Sequence, residues 1–158
     1  MAELRTGLGF DVHPRARGRP LRLGGVAFDG EEGLAGYSDG DAVCHAVADG
    51  LLGAAALGDL GDHFPDDDAA VKGIAGPELL SGVVRRVREA GFVPEGADVT
   101  VIADRPAIAP ARDRMRETLA ATLGVPIERV SVKATRPEGL GLSGDGVGCL
   151  ALVTVRAG

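Results

Sequence analysis

A chain of 158 residues that is 45% hydrophobic can bury a sizeable core, and its net charge of −6 argues against a nucleic-acid partner. Aromatic residues make up only 3%, so that core must be aliphatic, and 25 glycines point to tight turns or close backbone approaches. Cys44 and Cys149 form no CxxC pattern, MAELRTGLGF carries no apolar signal core, and no window approaches a membrane span. These features predict a soluble, cytoplasmic chain with reduced thiols, folded as one domain over residues 1–158.

In chain order, Leu4 to His13 alternates as a strand does and stops at Pro14. LRLGGVAF (21–28) reads as a second strand, paired with the first through the Arg/Gly/Pro-rich turn at 14–20. Ser38 opens a helix that runs to about Leu57. Ser38 and Asp41 are spaced as a capping box, and Asp39 adds negative charge at the positive end of the dipole. An acidic loop, GDLGDHFPDDD (58–68), follows. The next helix has Pro77 in its first turn and ends at Gly91. DVTVIAD (98–104) reads as a buried strand, and a third helix enters at Pro110 and leaves at Gly124. VSVKAT (130–135) and CLALVTVR (149–156) are two more strands, separated by RPEGLGLSGDGVG. Arg85, Arg86, Arg88, Arg112, Arg114 and Arg116 read as solvated helix faces. Strands and helices mix without strict βαβ alternation, so the class is α+β: a mixed β-sheet with three helices packed on one face.

The chemistry concentrates around two histidines. Asp11 and His13 are two apart on a strand, so their side chains leave the same face. His45 lies about two turns into the first helix. One carboxylate and two imidazoles suit zinc and leave a fourth position open. Asp49, four residues after His45 on the helix, can orient its imidazole from behind. Ser38, at a helix N-terminus, is placed for phosphate oxygens. His63 reads as an ordinary loop histidine.

GFDVHP, AGYSDGDAVCHAV, LLGAAALGDLGDHFPDDD, VTVIADRPAIAP and VKATRPEGLGLSG follow one another in an order and spacing that closely resembles the 2-C-methyl-D-erythritol 2,4-cyclodiphosphate synthase family. The resemblance runs from about Arg5 to Val155. It implies a homotrimer with sheets around the three-fold axis and active sites at the subunit interfaces. It also implies cyclisation of a cytidine diphosphate derivative of methylerythritol 2-phosphate, with loss of CMP. Zn2+, one per chain, would sit on Asp11, His13 and His45, and Mg2+ or Mn2+ bound with the substrate on Glu138. Asp59 and Gly61 would hold the ribose. Phe64 to Asp68, with Phe64, Asp66 and Asp68 foremost, would line the methylerythritol site. Ala103, Pro106, Ala107, Ile108 and Ala109 would wrap the cytosine, and Thr135 and Leu142 would complete the substrate contacts.

Several positions depart from the family pattern. Tyr37 stands where histidine is usual, and Arg136 and Pro137 where hydroxyl residues are usual. Both the Tyr37 and Arg136 positions are associated with transition-state stabilisation. Ala107 replaces a usual lysine, and IAG (74–76) stands where ADS is common. Tyr37 can still donate a hydrogen bond and Arg136 can bind phosphate. Two other readings stay open at this point: a diverged paralogue acting on another nucleotide diphosphate, and an inactive trimeric binding protein.

Overall fold

The structure, a computed structural model, describes residues 2–141 and 145–158. Strand β1 (Leu4–Leu23) does the work of two strands. Residues 4–14 pair antiparallel with β5 (Gly146–Ala157), and residues 15–23 pair with β2 (Val26–Leu34). The segment 14–20, expected as a turn, is therefore strand. Register shifts flank Pro20, and such irregular sites tolerate a residue that cannot donate to the ladder. The true turn is Gly24–Gly25, at φ 59° and 75°, where a side chain would be strained.

With β3 (Phe92–Ile102) and β4 (Val130–Thr135), the sheet order is β2-β1-β5-β3-β4, and only the β3/β4 pair is parallel. The α+β class and the mixed sheet are as expected. Among the described residues four α-helices accompany it: α1 (Ala42–Ala54), the one-turn α2 (Leu60–His63), α3 (Gly76–Glu89) and α4 (Arg112–Leu123). The short α2 was read as loop because a four-residue helix has no periodicity to detect. Gly124 closes α4 in the left-handed conformation, as its position predicts. No helix among the described residues is long and apolar enough to cross a membrane.

The core lies where α1 is pressed between the sheet and α3, so α1 is buried on nearly every side. Val147, Cys149, Ala151, Val153 and Val155 of β5 face it. The arginines are less uniformly solvated than their sequence positions predict. Arg116 reaches from α4 to the start of β4, donating to the carbonyls of Val130 (2.8 Å) and Ile127 (3.2 Å). Arg86 covers the Phe64 ring at 4.8 Å.

Asp41, not Ser38, caps α1, so the expected capping box is absent. The Asp41 carboxylate is fully buried and accepts from three backbone N–H groups: Gly24 (2.8 Å), Gly25 (2.7 Å) and Cys44 (3.0 Å). It joins the β1–β2 turn to the start of the helix. Asp39 plays a similar part, accepting from Asp41 N (2.9 Å) and Gly76 N (2.8 Å). Asp41→Ala removes the cap and leaves two further donors without partners, the buried Gly24 N and the half-buried Gly25 N. It should lower unfolding stability by about 3 kcal/mol or more. A urea midpoint close to that of the parent chain would contradict this role.

Candidate metal centre and flanking clefts

Two glycines on β1 determine how near α1 comes. A Cβ on Gly7 would lie 1.9 Å from the Gly50 carbonyl oxygen, and one on Gly9 would lie 1.8 Å from that of Ala46. Both glycines share a strand face with Asp11 and His13, while Leu8, Phe10 and Val12 point the other way and are exposed. With no side chain between them, helix and strand touch backbone to backbone. His45, the neighbour of Ala46, is thereby brought against Asp11. No sequence motif announced this. The signal was the G-x-G two residues ahead of the D-x-H on the same face.

Asp11, His13 and His45 can present one ligand atom each within 4.8 Å of one another. Asp11 Oδ2 is 3.2 Å from His45 Nδ1, and His13 Nε2 is 3.3 Å from His45 Nδ1. Zinc bonds of about 2.0–2.1 Å at tetrahedral angles put ligand atoms roughly 3.3 Å apart, so these two edges fit the ion. The third edge, Asp11 Oδ2 to His13 Nε2, is a close ion-pair contact of 2.6 Å and would have to open by several tenths of an ångström to admit the ion. Burial opposes ionisation of Asp11, but its hydrogen bonds with His13 and His45 outweigh this and lower its pKa to about 2. Burial likewise pulls His13 down, and the hydrogen bond and charge of Asp11 more than reverse it.

The other ring nitrogens have partners of their own, which leaves His13 Nε2 and His45 Nδ1 turned towards Asp11. His13 Nδ1 donates to the Ala35 carbonyl at 2.7 Å, and His45 Nε2 meets Ser38 Oγ at 3.0 Å. Ser38 is thus the residue behind His45, and the expectation for Asp49 is corrected. One turn further along α1, Asp49 Oδ1 accepts from Leu60 N at 3.3 Å, at the start of α2. Burial, with the charges of Asp59 and Asp11, raises the pKa of Asp49. Arg19 holds the loop ahead of the helix by donating to the carbonyls of Gly36 (2.6 Å) and Ser38. The phosphate role expected of Ser38 as a helix cap loses its basis, since that helix end is closed by Asp41.

A cleft of about 220 Å³ opens beside the triad, lined by His13 and His45 with Tyr37, Ser38, Gly61, Phe64 and Asp66. The structure therefore brings these expected site residues together. Asp59 caps α2, exchanging backbone bonds with Asp62 at 3.2 Å in both directions. Asp68 accepts from Ala70 N at 2.9 Å and is exposed. His63, expected in a loop, is the last residue of α2, and its Nε2 donates to the Leu57 carbonyl at 2.8 Å.

A second cleft, about 210 Å³, is lined by Ala103, Pro106, Ala107, Ile108 and Ala109 together with Thr135 and Arg136. Arg112 also lines it, although its position on a helix suggested a solvated face. The two clefts share no lining residue. Glu138 is exposed on the turn after β4, at φ 52°. Leu142 lies outside the described residues.

Residues 4–157 match the model of the YgbB family. The chain belongs to that family. One relative, named 2-C-methyl-D-erythritol 2,4-cyclodiphosphate synthase in Salinibacter ruber, is 51% identical over 156 residues, covering 98% of this chain and 99% of its own. The bifunctional IspDF of Campylobacter jejuni superposes with a TM-score of 0.94 at 39% identity. All of this chain is covered, but only 43% of that longer protein. A solved 2C-methyl-D-erythritol-2,4-cyclodiphosphate synthase in a CDP-bound form superposes at 0.88 with 34% identity, covering 96% of this chain and 99% of its own.

Proposed function

We propose that the chain converts 4-diphosphocytidyl-2-C-methyl-D-erythritol 2-phosphate to 2-C-methyl-D-erythritol 2,4-cyclodiphosphate and CMP, in the cytoplasm, as one domain acting within a homotrimer. The observation that carries this reading is the Asp11–His13–His45 triad opening on a cleft lined by residues of the family pattern. An oxygen of the 2-phosphate attacks the β-phosphorus, and the bond from that phosphorus to the oxygen bridging to the α-phosphate breaks. The nucleophile is already an anion, so no general base is needed. The obstacle is charge repulsion together with the entropy of closing a ring.

Zinc on Asp11, His13 and His45, with magnesium or manganese on Glu138 and the substrate phosphates, would supply Lewis-acid neutralisation of the diphosphate. Glu138 suits the second ion, which is commonly held by one or two carboxylates plus substrate oxygens. Tyr37 can donate a hydrogen bond into the triad cleft, and Arg136 can bind phosphate from the other cleft with a guanidinium fork. Gly61 and Asp59 would meet the ribose. The 103–109 loop would wrap the base.

Two features support assembly of several copies. The metal cleft and the base-loop cleft share no lining residue within one chain, which suits a site completed by a second copy. One sheet face also leaves Leu8 (67%), Phe10 (49%) and Leu152 (50%) exposed, with Leu8 directly opposite Leu152 and Phe10 opposite Leu150. Such a contiguous apolar surface favours association. The parent chain should sediment as a species of three chain masses, and Phe10→Glu should shift it towards monomer. A monomeric parent chain would remove the trimer. Incubation of the chain with the cytidine substrate, zinc and magnesium tests the activity itself, and should release CMP with each turnover.

A further inference from the structure

Between its ends, the base loop has little side-chain packing to hold its shape. Ala103 and Ile108 are buried, but Asp104, Arg105 and Ala107 are exposed. What holds the middle is Arg15, whose side chain is only 4% exposed. Its Nη2 donates to the Arg105 carbonyl, in the centre of the loop, and its Nη1 donates to the Glu32 carbonyl at 3.2 Å. Around this fork sits a ring of charge. Glu31 Oε2 is 4.0 Å from Arg15 Nη1 and 3.9 Å from Arg105 Nη1, while Glu32 Oε2 is 3.8 Å from Arg105 Nη2. Asp145 Oδ1 lies 3.9 Å from Arg15 Nε. Glu31 Oε2 is buried without a hydrogen bond, so the two guanidiniums are what offset its charge.

We infer that Arg15 is a positioning residue for base recognition: it clamps the 103–109 loop to the β1–β2 hairpin and so sets the shape of the pocket that reads the nucleobase. This rests on the proposed function, which places a pyrimidine nucleotide against that loop. The side chains at 103, 107 and 109 are single methyl groups, so at those positions only the loop's backbone N–H and C=O groups can read the base, beside the polar side chains of Asp104, Arg112, Thr135 and Arg136 that line the same cleft. A pocket that reads with backbone depends on backbone position, and the Arg105 carbonyl is where Arg15 takes hold. A lysine cannot replace this fork, because it offers a point charge and not two donors in a plane.

The test uses the full-length, zinc-loaded chain with CMP as the probe. Arg15→Ala should raise the CMP Kd about tenfold and speed amide hydrogen exchange across residues 103–109, with zinc content unchanged. Arg15→Lys should fall between the two. Arg17→Ala, a change at a side chain 96% exposed on the same strand, should do neither. An unchanged CMP Kd in Arg15→Ala overturns the inference, as does an equal loss in Arg17→Ala. If Arg15→Ala does not fold, Arg15→Lys decides: a Kd equal to that of the parent overturns the clamp. A parent chain that ignores CMP overturns the proposed function, and the exchange comparison then decides the clamp alone.

Discussion

The His45→Ala variant is expected to bind zinc at least about 100-fold more weakly than the parent chain while keeping its fold. Even outer partners of ligating histidines are worth about 10–100-fold in metal affinity, and loss of a ligand atom must exceed that. What remains is Asp11 and His13, whose own 2.6 Å contact lets them satisfy each other without an ion. Alanine is the best helix former, so α1 has no local reason to unravel. Ser38→Ala, which removes only the partner of His45 Nε2, should fall within the outer-partner range. Elemental analysis should find about one zinc per parent chain and little in His45→Ala. Full zinc occupancy in His45→Ala would dispose of the assigned triad.

Gly9→Val should damage stability and metal binding together, although residue 9 is no ligand. Its Cβ would fall 1.8 Å from the Ala46 oxygen and 2.7 Å from Gly50 N, both backbone atoms that no rotamer change can move. Reaching ordinary contact requires α1 to withdraw on the order of 1.5 Å. His45 travels with it, and the 3.2 and 3.3 Å edges of the triad open beyond what a tetrahedral ion spans. The expected destabilisation is on the order of 3 kcal/mol, from overpacking against a rigid partner, and zinc occupancy should fall in parallel. Gly53 is the control. A Cβ there meets nothing within 4 Å, so Gly53→Ala should be neutral or stabilising by up to about 1 kcal/mol. Parent-like stability in Gly9→Val would mean that α1 does not depend on the glycine contact.

What could be read from the sequence was whatever local spacing encodes. The period of two put Asp11 and His13 on one face, and proline-in, glycine-out marked α3 and α4 to within a few residues. What could not be read depends on partners distant in the chain. The carboxylate of Asp41 is satisfied by Gly24 and Gly25, and that of Asp39 partly by Gly76, so a local capping rule misplaced the helix start. By spacing, Asp49 was the residue one turn from His45, while Ser38 read as two turns away at the helix start. The fold reverses this: α1 begins only at Ala42, which lets Ser38 fold back onto His45, and the start of α2 lies beside Asp49. Pro14 and Pro20 looked like turn residues. The strand absorbs Pro14 where it changes partner from β5 to β2, and Pro20 where register shifts interrupt its pairing with β2.

The most direct test of metal-dependent cyclisation is to follow phosphorus resonances while the metal-stripped chain is held with 4-diphosphocytidyl-2-C-methyl-D-erythritol 2-phosphate and magnesium, and zinc is then added to one equivalent per chain. The account predicts that resonances of the cyclic diphosphate and of CMP rise together only after zinc is added. Substrate that persists after zinc, or CMP released alongside a linear phosphate product, would contradict it.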